Sequence, residues 1–98
     1  MSELLKLGKI VMADGLYSEI HSGSEEEQGN KLDEILRCLT RHQSGDYGAL
    51  GEEDITANKE ALINGDRLLS KYITSLGSIY IITEWDRSST CIMFCWEY

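Results

Sequence analysis

Three β-rich runs crowded into the last third of the chain, Arg67 to Thr74, Ser78 to Trp85 and Thr90 to Trp96, limit the fold more than any other feature. The turns between them, around Ser75-Leu76-Gly77 and Asp86-Arg87-Ser88-Ser89, are too short for a crossover, so the strands must run antiparallel to their neighbours. In the middle run Ile79, Ile81, Thr83 and Trp85 face one way and Tyr80, Ile82 and Glu84 the other. In the last, Ile92, Phe94 and Trp96 oppose Cys91, Met93 and Cys95. Both faces are apolar enough for this strand pair to be central and at least partly covered on each side.

Upstream, Leu5 to Met12 is β-prone and is closed by Ala13-Asp14-Gly15, which predicts a short first strand at a sheet edge. Leu16 to Ile20 could start a helix, but His21-Ser22-Gly23-Ser24 breaks the pattern. Glu25-Glu26-Glu27-Gln28-Gly29 reads as a solvated acidic segment, so residues 22–29 are expected to form a flexible loop. From Asn30 the apolar period becomes helical, with Leu32, Ile35, Leu36 and Leu39 on one face and an end near Ser44-Gly45. A second helix starts at Gly51, carries Glu52, Glu53 and Asp54 in its first turn, and ends at Asn64-Gly65. The expected architecture is α+β: two helices packed on a small antiparallel sheet with a C-terminal three-stranded meander and a short N-terminal strand.

With 98 residues the chain has room for one domain and roughly 25 to 30 core side chains. The formal charge of −8 repels phosphate backbones and anionic lipid, which disfavours direct nucleic-acid or membrane-surface binding. No apolar run approaches the ~20 residues of a membrane span, and Met1-Ser2-Glu3 lacks the basic start of a signal peptide, so a cytoplasmic protein is expected. Three cysteines, Cys38, Cys91 and Cys95, form no C-x-x-C pair, and Cys91 and Cys95 on one strand would lie ~13 Å apart. Buried free thiols are the expectation.

Among polar residues, His42, Asp46, Glu84, Asp86 and Arg87 form the one suggestive group, because the two turns that hold them could meet at one end of the sheet. An acid beside a histidine could perform general acid–base work. The structural alternative is that His42 partners a helix dipole, Asp46 holds a turn, and Glu84, Asp86 and Arg87 fix a hairpin. No metal-ligand spacing is present, and Gly45, Gly48 and Gly51 do not make a phosphate loop, so neither metal nor cofactor is expected. The acidic groups Glu25, Glu26, Glu27 and Glu52, Glu53, Asp54 suit a surface that occupies the basic groove of a nucleic-acid-binding protein, against the plainer reading of a solvated exterior.

His42-Gln43-Ser44-Gly45-Asp46-Tyr47-Gly48, Glu53-Asp54, Ala57-Asn58, Ala61-Leu62, Gly65, Arg67-Leu68-Leu69-Ser70, Tyr72, Ile81-Ile82-Thr83-Glu84, Asp86-Arg87-Ser88 and Thr90 occur here in order. In this the chain resembles a widespread family of short proteins carried by plasmids, phages and conjugative elements and generally described as plasmid-related. The resemblance spans roughly residues 7 to 98. Tyr47 stands where a Trp is usual, and Cys95-Trp96 where Pro-Glu is usual. The resemblance brings no mechanism, but it implies a mobile-element protein of the kind that blocks host restriction or CRISPR machinery.

The function expected on these grounds is a non-enzymatic inhibitor acting on a basic, nucleic-acid-handling host defence protein through Glu25–Glu27, Glu52–Asp54 and Trp96. A small enzyme or ligand-binding domain built on His42, Asp46, Glu84 and Asp86 is one alternative. A dimerising structural module is another. Trp96 is read either as an aromatic finishing the core or as an exposed anchor for a partner or a homodimer.

Overall fold

A computed structural model describes residues 5–98, so Met1–Glu3, read above for their lack of basic charge, lie outside it. The described residues fold as α+β, with three helices on a four-stranded mixed sheet. Its elements are β1 (Lys9–Met12), α1 (Asp14–Ile20), α2 (Glu25–Gln43), α3 (Glu52–Asn64), β2 (Leu68–Thr74), β3 (Gly77–Thr83) and β4 (Ser89–Phe94), followed by a 3₁₀ turn over Cys95–Glu97. The strand order is β1-β4-β3-β2. The C-terminal meander is antiparallel as expected, while β1 is an edge strand that pairs parallel to β4. Among the described residues no helix is long and apolar enough to cross a membrane.

One expectation for the N-terminal half is overturned. Residues 25–29 are not a loop but the first turns of α2. Ser24 accepts from the Glu27 amide at 3.1 Å while the Glu27 carboxylate accepts from the Ser24 amide, a reciprocal cap. Glu25, Glu26 and Glu27 then sit at the positive end of the helix dipole, so the acidic run stabilises a helix start instead of dissolving it. Leu16–Ile20 is helical, as its sequence allowed: α1 begins two residues earlier, at Asp14, and ends at Ile20 before the break at His21–Ser24. The start of α1 has no side-chain cap of its own, and the Glu97 carboxylate supplies one by accepting from the amides of Gly15 at 2.7 Å and Leu16 at 3.1 Å.

All three helices cover one face of the sheet. Leu16 and Ile20 of α1 and Ile35 and Cys38 of α2 pack with Tyr72, Ile79, Ile81, Ile92 and Phe94, and Ala61 of α3 packs with Leu68 and Tyr47. The buried stripe of α2 is therefore Ile35, Cys38 and His42, with Leu39 partly covered, whereas Leu32 and Leu36 of the expected stripe are exposed. The turn of α2 that would bring the leucines inward would also expel His42, which the strands hold. Both ends of α3 match expectation, with Gly51 as N-cap and Gly65 left-handed at φ 75°.

Helices α1 to α3 leave the opposite face of the sheet without a helix, and its cover is partial: Ile82 is buried there, and Tyr98 packs edge-on against Tyr80. Strand β4 also ends two residues earlier than expected. The chain leaves the sheet after Phe94, and Trp96, stacked on Phe94 at 5.6 Å, is 74% exposed instead of completing the core.

Candidate functional site

The structure brings His42 and the hairpin of Glu84, Asp86 and Arg87 toward one end of the sheet, but the hydrogen-bond partners of His42 are hydroxyls and not the acids of that group. His42 is buried, 1% exposed, with Nδ1 2.5 Å from Ser70 Oγ and Nε2 2.8 Å from Thr83 Oγ1. Thr83 and Thr90 hydroxyls are 2.8 Å apart, and Thr90 donates to the Leu7 carbonyl at 2.7 Å. That last bond fixes the direction of the whole chain. Thr90 has spent its proton, so Thr83 donates to Thr90; the Thr83 oxygen then accepts from Nε2–H of His42; and Nδ1 accepts from Ser70. The ring is thus held as one neutral tautomer. Burial, and after it the positive charge of Arg87, pushes the His42 pKa down to about 4.

No carboxylate touches His42. Asp46 instead pairs with Arg41, 2.7 Å from Nε, and accepts from the Gly48 amide at 3.2 Å, so it organises the turn as expected. The Arg41 guanidinium and then this amide hold the Asp46 carboxyl below the usual range. The Asp46 carbonyl accepts from Tyr72 Oη at 2.6 Å, which ties the turn to β2.

Glu84, Asp86 and Arg87 do fix the last hairpin, though not by bonding side chain to side chain. Asp86 accepts from the Ser88 hydroxyl and amide, which lowers its pKa. Glu84 contributes its carbonyl, which accepts from the Arg87 amide at 2.9 Å and from Nη1 at 3.0 Å. Arg87, at a left-handed φ of 60°, also donates to the carbonyls of Asp66 at 2.6 Å and Ala61 at 3.3 Å. A cation thereby closes the negative end of α3. Arg87→Met, which keeps the stem and removes the donors, should lower unfolding free energy by about 2 kcal/mol, read by denaturant titration. A loss under about 0.5 kcal/mol would show that water replaces the guanidinium without cost.

Beside this end lies a cavity of ≈180 Å³, walled by Leu5, Gln43, Tyr47 and Leu62 with His42 at its inner side. It is smaller than the roughly 300 Å³ at which small-molecule sites begin. Both His42 nitrogens are already engaged and Ser70 is fully buried, so neither group reaches the cavity with a free proton or lone pair. Among the described residues no three His, Cys, Asp or Glu side chains converge as metal ligands. The three cysteines are free, Cys38 buried and Cys91 and Cys95 partly so, and burial raises the pKa of Cys38 and Cys91.

Glu25, Glu26, Glu27, Glu52, Glu53 and Asp54 are all exposed on the first turns of α2 and α3. The ion pairs among the described residues, Lys31–Glu19 and Arg41–Asp46, use none of them. Sequence reasoning missed the hydroxyl chain through His42. Its signal was Ser70, Thr83 and Thr90 at core-facing positions of three adjacent strands, where apolar side chains are the rule. Neither a family model, a curated protein nor a solved structure matches the chain.

Proposed function

We propose that this chain is a non-enzymatic, mobile-element binding protein that presents carboxylates to a basic, nucleic-acid-handling host protein of the restriction or CRISPR class. The observation that carries this reading is the set of six carboxylates on the starts of α2 and α3, all exposed and none in an ion pair within the described residues. Such groups keep their full field for a partner, and they are placed where helix dipoles already stabilise them, so presenting them costs the fold little. The sealed state of His42 supports the same side, because the polar group that an enzyme would need is consumed in holding the sheet to α2. Trp96, exposed and stacked on Phe94, is a pre-positioned aromatic anchor at such an interface.

The test is a binding panel of purified restriction and CRISPR effectors, run with the wild type and with a variant carrying Glu52→Gln, Glu53→Gln and Asp54→Asn. Capture of a basic effector by the wild type, at least ten-fold weakened in the variant, is the expected result. Equal capture by both proteins would remove the carboxylates from the interface.

A further inference from the structure

The two edges of the sheet are finished differently. On β2, the Tyr47–Ala49 segment bonds the amide and carbonyl of Lys71, and the Asn58 side chain bonds those of Leu69. The outer edge of β1 has no such cover. Lys9 and Ala13 donate inward to the carbonyls of Ser88 and Ile92 at 3.0 and 2.9 Å, so strand alternation directs the amides and carbonyls of Ile10 and Met12 outward. None of these groups has a hydrogen-bond partner among the described residues. The side chains around them are apolar and open, Ile10 being 42% and Val11 37% exposed. An edge in this state is a template for a further strand.

The strand that fits it best is its own copy. Laid antiparallel about a two-fold axis at Val11, two copies of β1 set Ile10 against the partner's Met12 and Met12 against the partner's Ile10, and every outward amide then meets an outward carbonyl. The side chains agree with this register. Ile10 lies beside Met12 on the helix side of the sheet, and Val11 meets Val11 on the other. Lys9 falls opposite Ala13 of the partner, one residue from its Asp14. Both charged residues are exposed, and neither is in an ion pair among the described residues. A segment with a cation at one end and an anion at the other is complementary to its antiparallel copy, whereas a uniformly acidic or basic foreign strand would match one end and be repelled at the other.

From this self-complementarity we propose that the chain dimerises through β1, joining two four-stranded sheets into one continuous sheet with both helix layers on the same side. The contact is small, and the charge of −8 on each copy opposes association. The dimer is therefore weak, populated at ~100 µM and dissociated at ~1 µM in physiological salt.

Sedimentation equilibrium from ~1 to ~300 µM tests the proposal, and a monomer–dimer equilibrium is the expected result. Ile10→Pro removes an outward donor without touching the ladder to β4, and should weaken association about ten-fold or more. Lys9→Glu and Asp14→Lys, each alone, put like charges at both ends of the pairing and should weaken it about ten-fold. An equimolar mixture of these two variants should recover association, because each cation then faces the other chain's anion. Recovery on mixing requires contact between chains, so it separates the pairing from any effect on either fold, and circular dichroism would check that each variant folds. A protein still monomeric at ~300 µM overturns the proposal and leaves the edge to a foreign strand. Dimerisation unchanged in Ile10→Pro, or a mixture no stronger than its components, places the contact elsewhere and overturns it as well.

Discussion

His42→Ala should unfold more easily than the wild type by about 3 to 5 kcal/mol at pH 7, because it leaves a cavity and removes the partner of two buried hydroxyls. The pH dependence separates this from an ordinary cavity. His42 is held neutral in the fold, with a pKa of about 4 against 6.5 in the unfolded chain. Its stabilising contribution is therefore complete above pH 6.5 and is lost as pH falls toward 4, where the unfolded chain takes up a proton that the fold refuses. The drop from 6.5 to about 4 corresponds to roughly 3 kcal/mol. Carboxylates also titrate in this window, but they do so in both proteins. The stability gap between wild type and variant, measured by urea unfolding at several pH values, should thus narrow between pH 6.5 and 4. A gap independent of pH would mean that His42 is not held neutral.

Gly48→Ala should cost more than about 3 kcal/mol, and the reason is proximity added to backbone conformation. Gly48 has a φ of 75°, and a Cβ there would press into the Lys71 carbonyl and lie 2.7 Å from Cδ1 of Tyr72. Backbone cannot yield as a side chain can. The segment matters because Tyr47–Ala49 runs along the outer edge of β2, where Lys71 donates to the Tyr47 carbonyl at 3.1 Å and Ala49 donates to the Lys71 carbonyl at 2.7 Å. These bonds cover the edge of β2 at Lys71, as the Asn58 side chain does at Leu69, where it bonds both the amide and the carbonyl. Gly45 is the control, since its φ of 90° is equally left-handed but a Cβ there meets nothing within 4 Å. Gly45→Ala should cost only about 1 kcal/mol, so equal thermal shifts for the two variants would contradict the close approach.

What could be read in the sequence follows from how local the deciding interaction is. Helix α3 was legible at both ends because Gly51 and Gly65 act within their own turns. The meander was legible because alternation and short turns are local too. Helix α1 was legible only from Leu16 to its break at His21, and its start at Asp14 was not, since its N-terminal amides are satisfied by Glu97, more than 80 residues away. The start of α2 was hidden for a different reason: Ser24-x-x-Glu27 is a local cap, but the surrounding glutamates were weighed as charge instead of as dipole partners.

The candidate site divides along the same line. Asp46 was assigned its turn correctly, because an Asp two residues before a Gly bonds that amide. His42 was assigned to the helix dipole, and the fold instead places it on the buried stripe of α2, where hydroxyls from β2 and β3 solvate it. For Trp96 the sequence left two readings, a core aromatic or an exposed side chain, and the second holds because the Glu97 carboxylate, drawn to the amides of α1 and to the Phe94 amide at 3.0 Å, turns the chain off the sheet first.

The proposed function rests on extended electrostatic attraction, and the affinity for a captured effector, followed from ~50 to ~500 mM salt, tests that most directly. Wild-type affinity should fall steeply with salt, and the Glu52→Gln, Glu53→Gln, Asp54→Asn variant should start weaker and fall less. A flat response shared by both proteins, with Trp96→Ala abolishing capture, would replace the carboxylate surface with an aromatic anchor and contradict the account.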